Sequence, residues 1–350
     1  MAYTDIDNPS DYFNIKLYTG NATNPTTISG IGFQPDWVWT KGRDTAEGHR
    51  LCDSVRGVTK DLLSNTTASE STNTIGLKSF NADGYVIGNS NGYNKNGNTF
   101  VSWNWLAGTA FSNDASSTSI GSLDSSGSVN DTAGFAIVKY VGNGSSGATI
   151  KHGLTSAPTF MIIRVYTATA GFQVYSKSVG ATKFAGYLNT TEAAADAAGV
   201  VNNTDPGTSV FTVGNGGNTN TNNGTHFAFC FSERKGYSKF SSYVGNGSSS
   251  GTYVHLGFKP AFIIQKNTSS ADAWVMFDNK RNGYNTAGNE KLYPNASTAE
   301  ADVSEIDFLS NGFKLRAGGN QNNNNGEVYI YMAFAEQPFV TSTGVPATAR

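Results

Sequence analysis

The chain states nearly the same pattern three times. Tyr18-Thr19-Gly20-Asn21, Tyr140-Val141-Gly142-Asn143 and Tyr243-Val244-Gly245-Asn246 are each followed, 17, 18 and 17 residues after the tyrosine, by a proline that opens an apolar run. Those runs start at Pro35, Pro158 and Pro260. A ring sits fourteen residues beyond each proline, at His49, Phe172 and Trp274. Then come the small-residue segments Asn65–Glu70, Asn189–Ala193 and Asn295–Glu300, and each copy ends on a strand-like run after Gly97, Gly224 or Gly326. Spacing this tight means one small fold used three times in series. It divides the chain into copy one (1–107), a Ser/Gly-rich linker (108–133), copy two (134–238), copy three (239–340) and a tail (341–350). The linker composition predicts flexibility. Copies two and three share a boundary with no spare residues, which predicts rigid contact between them.

The local pattern is strand after strand. Val101, Trp103 and Trp105 alternate with polar residues, and Phe227, Phe229, Phe231 and Ile330, Met332, Phe334 repeat the stripe; a period of two buries one face. The runs Trp37–Trp39, Phe160–Val165 and Phe262–Gln265 are continuously apolar, as in strands covered on both faces. Asp83-Gly84, Asn143-Gly144, Asn246-Gly247 and Asn311-Gly312 are turn signals. Asn, Ser and Thr compete for backbone hydrogen bonds and disfavour helix; only 191–198 and 297–303 suit a helical turn or two. The expected architecture is all-β: three tandem antiparallel β-sandwich domains of jelly-roll or lectin-like type, with the repeated rings filling each copy's own interior.

Charge and targeting exclude several classes. Charged residues make up 14% and the net charge is −2, so no clustered Lys/Arg surface for nucleic acid is expected. No apolar stretch reaches membrane-spanning length, and the start at Met1 lacks a basic and apolar leader, which predicts synthesis in a reducing cytoplasm without membrane insertion. Cys52 and Cys230 read as packed free thiols.

Chemistry-bearing patterns are weak. No Walker A, HExxH or CxxC motif occurs, so no metal ligand and no cofactor is assigned. His49 stands where the other copies carry Phe172 and Trp274 and reads as a packed ring; His152, His226 and His255 do not pair. Gly247-Ser248-Ser249-Ser250-Gly251 matches a nucleophile elbow in letters, but an elbow needs a strand-to-helix turn. Glu300, Asp302, Glu305 and Asp307 form the one acidic cluster, thinned to Glu70 in copy one and to Glu192 and Asp196 in copy two; it reads as a solvated loop, with a calcium site or a hydrolase pair as rivals. The five tryptophans, Trp37, Trp39, Trp103, Trp105 and Trp274, read as core rather than sugar platforms. No catalytic residue is assigned.

Several segments carry a family resemblance. Asp7–Phe13, Leu17–Asn21, Gly32–Trp39, Asp53–Gly57 and Trp103–Gly108 resemble a repeat module of marine tailed bacteriophages, cyanophages above all, over roughly residues 7–108 and more loosely beyond. The resemblance implies a non-enzymatic virion structural protein exposed on the particle surface, assembled in the bacterial cytoplasm. A tail fibre or appendage contacting the host envelope is the first expectation. Its partners would be other virion proteins and a host surface glycan, and a homotrimer is compatible with a fibre although no heptads encode one. A capsid decoration protein and a polysaccharide depolymerase are the alternatives.

Overall fold

The computed structural model describes residues 3–281 and 289–347. The chain ends of the first copy and of the tail, and residues 282–288 of copy three, lie outside these.

The protein is all-β, and its sheets are antiparallel. Each copy builds its larger sheet around a closing strand: Thr99–Trp105, Thr225–Phe231 or Val328–Pro338. On one side this strand pairs with the strand that carries the tyrosine signature, Phe13–Thr19, Phe135–Val141 or Ser238–Val244. On the other it pairs with the post-proline strand, Trp37–Gly42, Phe160–Val165 or Phe258–Asn267. A smaller sheet covers one face of each larger one, built on Thr26–Ser29, Ala148–Lys151 and Tyr253–His255. An apolar cluster fills the space between: Ile28, Val38, Tyr85 and Ile87 in copy one, Val138, Ile150, Ile163 and Phe211 in copy two, Val254, Ile263, Phe313 and Tyr331 in copy three. The Asp83-Gly84 and Asn311-Gly312 signals do lie at tight hairpins of these smaller sheets.

The opposite faces of the three larger sheets pack on one another. Trp37, Trp39, Trp103 and Trp105 of copy one share a single buried cluster with Phe135, Phe160, Phe229 and Phe231 of copy two and Phe240, Phe262, Trp274 and Phe334 of copy three. The Trp37 ring lies 4.2 Å from Trp105 in its own copy and 4.2 Å from Phe229 in the next. Phe13 stacks 5.0 Å from Phe334. The expectation that the rings fill each copy's own interior is therefore corrected. Side chains alternate across a strand, so Val38 points into copy one while Trp37 and Trp39 point into the shared centre. Each buried aromatic removes roughly 150–250 Å² from water, on the order of 4–6 kcal/mol as an upper estimate. Copies held apart in water would forfeit much of that.

The arrangement closes on itself. The amide of Glu70 in copy one donates to the Tyr166 carbonyl of copy two at 2.8 Å, Ala194 of copy two to Thr268 of copy three at 3.1 Å, and Glu300 of copy three to Arg43 of copy one at 2.7 Å. Glu70, Ala194 and Glu300 each stand five residues beyond the repeated asparagines 65, 189 and 295, and Arg43, Tyr166 and Thr268 each stand eight beyond the repeated prolines. One relation applied three times returns to its start, which makes the chain a ring with approximate threefold symmetry. The N-terminal segment reaches the junction of copies two and three, where Thr4 Oγ1 donates to the Lys235 carbonyl at 2.6 Å, and it meets the segment after the last strand where the Ser342 amide donates to Asp7 at 2.6 Å.

Three further expectations change. The segment 108–133 is not a free linker: Thr109–Asn113 pairs with Ser125–Asn130, which pairs with Phe135–Val141 and widens the sheet of copy two to six strands. Its glycine serves close packing rather than flexibility, since a Cβ on Gly127 would sit 1.8 Å from the Ile137 carbonyl oxygen. Copy one is also fixed to this segment directly, because Asp36 accepts from the Ala107 and Gly108 amides at 2.9 and 2.6 Å. The helical turns expected at 191–198 and 297–303 are largely extended. Ala195–Asp196 pairs with Lys183–Phe184 and Ala301–Val303 with Asn289–Lys291, and one short helix follows at Ala198–Val201. Tertiary pairing outweighs a weak local preference there.

Candidate functional site

The repeated Tyr-x-Gly-Asn signature is spent on structure. Its tyrosine hydroxyl donates to a backbone carbonyl one residue before a buried asparagine: Tyr18 to Tyr93, Tyr140 to Thr219 and Tyr243 to Asn322, at 2.8, 2.6 and 2.5 Å. The buried asparagines, Asn94, Asn220 and Asn323, accept from the amide of the signature asparagine at 2.8, 2.9 and 3.0 Å. Their side-chain amides donate to two loop carbonyls in each copy. The glycine is required because a Cβ at Gly20, Gly142 or Gly245 would lie 2.2–2.4 Å from a facing carbonyl oxygen.

The interfaces between copies hold several buried charges. Arg56 bonds Asp53 at 2.5 Å and Glu70 at 3.0 Å; Arg281 bonds Asp278 at 2.6 Å and Glu300 at 3.4 Å. Glu300 also holds Arg43 of copy one at 2.7 Å, and Trp103 Nε1 donates to Asp278 at 3.1 Å. At the equivalent places copy two has Ser176, Val179 and Ala194. A second set of cations, Lys41, Arg164 and Lys266, is buried at equivalent positions and donates to backbone carbonyls, Arg164 to Thr66, Thr67 and Ala68 of the neighbouring copy. Burial lowers the two lysines to about 8 and the arginine to about 10.

These contacts decide the fate of the sequence candidates. The acidic cluster is not a solvated loop: Glu300 is engaged as above, Glu305 bonds Lys291 at 2.6 Å and Asp307 bonds Arg316 at 3.2 Å. Three of the four carboxylates are thus engaged by cations, Glu300 by two of them, which takes up oxygens that a hydrolase pair or a calcium ion would use, and only Asp302 stays exposed. Among the described residues no three His, Cys, Asp or Glu side chains are grouped to hold a metal ion. His49 is buried and accepts from Trp39 Nε1 at 2.9 Å; burial holds it well below the usual imidazole range. His152 and His226 are buried in copy two and lowered by burial to about 4. Cys52 and Cys230 are free and buried, and burial pushes both thiols up. The serines at 248–250 lie between two strands, Ser238–Val244 and Tyr253–His255, so the elbow context is absent. All five tryptophans are buried.

The feature that the sequence did not point to is a groove at the junction of copies two and three. It has a volume of about 530 Å³, within the usual range for ligand sites, and is bounded by Tyr3 and Asp5, by Glu233 and Lys239, by His255 and by Phe339. Only three aromatic residues are exposed among those described: Tyr3 at 62%, Tyr253 at 44% and Phe339 at 37%. Tyr3 and Phe339 line this groove, and the Tyr253 hydroxyl lies 3.2 Å from Nδ1 of His255 on its wall. The polar groups are held in place: Glu233 accepts from the Phe240 amide at 2.7 Å, Asp5 from the Lys235 amide at 2.9 Å, and Lys239 donates to the His255 carbonyl at 2.8 Å. Burial raises the Glu233 carboxyl above its ordinary value. Aromatic faces beside fixed carboxylates and ammonium groups suit a polar ligand with apolar faces. No local motif marks the groove, because its walls come from the N-terminal segment, the junction of copies two and three, and the segment after the last strand.

Fold and groove together define an all-β, internally threefold protein with an asymmetric groove on its surface. The chain belongs to the family described as a domain of unknown function (DUF7483), whose model matches residues 8–338 and so takes in all three copies. Comparison with curated proteins gave no match. None of the described helices is long and apolar enough to cross a membrane.

Proposed function

We propose that the protein is a non-enzymatic structural component of a phage virion, exposed on the particle in a tail fibre or similar appendage, where it contacts the host envelope. The observation that carries the contact role is the placing of the exposed aromatics Tyr3 and Phe339 on one groove, with Tyr253 against His255 on its wall, while the other described aromatics are buried or half-buried. A host surface glycan fits that groove chemically: sugar rings present apolar faces to aromatics and hydroxyls to fixed charged groups. The similarity of residues 7–108 to marine phage modules supports the virion setting. Many copies on one particle would raise a weak single-site affinity.

The test is a triple variant, Tyr3→Ser with Tyr253→Ser and Phe339→Ser, compared with the native protein for retention on host cells and on purified envelope polysaccharide. The expected result is loss of retention with unchanged thermal stability. Equal retention of the two proteins would end the proposal.

A second reading, capsid decoration, draws on the threefold ring itself. One chain here supplies the symmetry that a threefold site on a shell presents. Particle maps with density on the capsid and none at the tail would favour it over the appendage.

A further inference from the structure

Copy three contains a buried polar constellation that the ring does not need. Lys291 is 4% exposed and donates from Nζ to Glu305 Oε1 at 2.6 Å and to Gln321 Oε1 at 2.9 Å. The Tyr293 hydroxyl donates to the same Gln321 oxygen at 3.4 Å, and the second Glu305 oxygen accepts from Asn322 at 2.9 Å. Counted back from the repeated asparagines 295, 189 and 65, the place of Lys291 is taken by Ala185 in copy two and Asp61 in copy one. Copy two closes at this point with an alanine, so the amine, carboxamide and carboxylate of copy three are not a requirement of the fold.

A primary amine touching a carboxamide carbonyl, with a carboxylate against the amine, places a nucleophile, an electrophile and a proton carrier together. We propose that Lys291 and Gln321 join in an intramolecular isopeptide bond, with Glu305 carrying the proton.

Burial works against the charge on Lys291, but the Glu305 contact more than offsets it and holds the ammonium above its usual range. The reactive amine therefore arises when Glu305 takes a proton from it. The nitrogen lone pair then attacks Cδ of Gln321, and the Tyr293 hydroxyl stabilises the charge that develops on Oε1. Glu305 returns the proton to the carboxamide nitrogen. The bond from Cδ to that nitrogen breaks, and ammonia leaves with the remaining proton as ammonium. One C–N bond forms and one breaks, Glu305 is regenerated, and no oxidant or cofactor enters. The product ties the strand Asn289–Lys291 covalently to the loop beside the buried Asn323. Such a brace would resist unfolding as a disulfide does, without needing an oxidising compartment.

Intact-mass spectrometry of the full chain, followed by peptide mapping, decides the matter. The native protein is expected to be lighter than its sequence by one ammonia and to yield a Lys291–Gln321 branched peptide. Glu305→Gln should restore the full sequence mass with native circular dichroism. If that variant does not fold, Lys291→Arg is the second arm: it keeps the ion pair, cannot form the amide, and should show full mass in a folded protein. A folded native protein that stays at sequence mass after prolonged incubation overturns the proposal, as does a branch mapped to Asn322 instead of Gln321.

Discussion

Replacing Phe229 by alanine separates a closed ring from three independent domains. Phe229 belongs to copy two and is fully buried, with its ring 4.2 Å from Trp37 of copy one and 4.7 Å from Phe227 beside it. Truncating a buried phenylalanine costs about 3–5 kcal/mol, including the cavity left behind. If the 350 residues unfold as one unit, the unfolding entropy at about 2.1 cal/mol/K per residue is roughly 0.7 kcal/mol/K, so the midpoint should fall by about 4–7 °C. The reporter is built in, because Trp37, Trp39, Trp103 and Trp105 all belong to copy one whereas the substitution lies in copy two. Thermal unfolding is followed by tryptophan fluorescence and by far-ultraviolet circular dichroism. The expected outcome is one transition in both signals, shifted together. Two transitions, with the tryptophan signal still at the native midpoint, would refute the shared core as the seat of stability.

Three other outcomes follow from the same structure. Asn220→Ala strips the Asn143 amide and the Ser145 and Gly214 carbonyls of their partner, of which the Gly214 contact is the buried one; at about 1–3 kcal/mol for a buried group left unpaired, a loss of roughly 1–3 kcal/mol should appear in urea unfolding, and no measurable loss would contradict the clamp. Gly127→Ala drives a Cβ into the Ile137 carbonyl, so hydrogen exchange should quicken along Ser125–Asn130 while the rest of the chain stays protected; unchanged exchange there would return the segment to the status of a linker. His152 and His226 are lowered to about 4 in the folded protein, against about 6.5 unfolded. Their stabilising share is present above pH 6.5 and is lost as the pH falls through 4. His226→Gln should therefore flatten the decline in urea stability between pH 7 and 4.5 by about 1–3 kcal/mol, and an equally steep decline would count against the burial argument.

Much of the fold was legible along the chain because repetition and a period of two are local properties. The three stripes at Val101–Trp105, Phe227–Phe231 and Ile330–Phe334 identify closing strands, and these are the central strands of the three larger sheets. The continuous runs after Pro35, Pro158 and Pro260 report strands covered on both faces, and both faces are covered. Of the candidate residues, the packed thiols and His49 read correctly as buried groups. Composition misled at 108–133, where Ser and Gly suggested a loose tether. The same small residues let a strand lie close against Ile137.

The sequence by itself determined that three similar antiparallel β units exist, and which strands in each are apolar on one face or on both. Only the tertiary structure decided what lies against the second face. Trp37 meets Phe229, Phe13 meets Phe334, and Glu300 meets Arg43, across separations that no periodicity encodes. The groove of Tyr3, His255 and Phe339 likewise exists only because the fold brings the N-terminal segment, the junction of copies two and three and the segment after the last strand to one place. Alternation along a strand reports that a side chain leaves water. Which surface receives it depends on the shape and charge of segments hundreds of residues away, and those meet only when the ring closes.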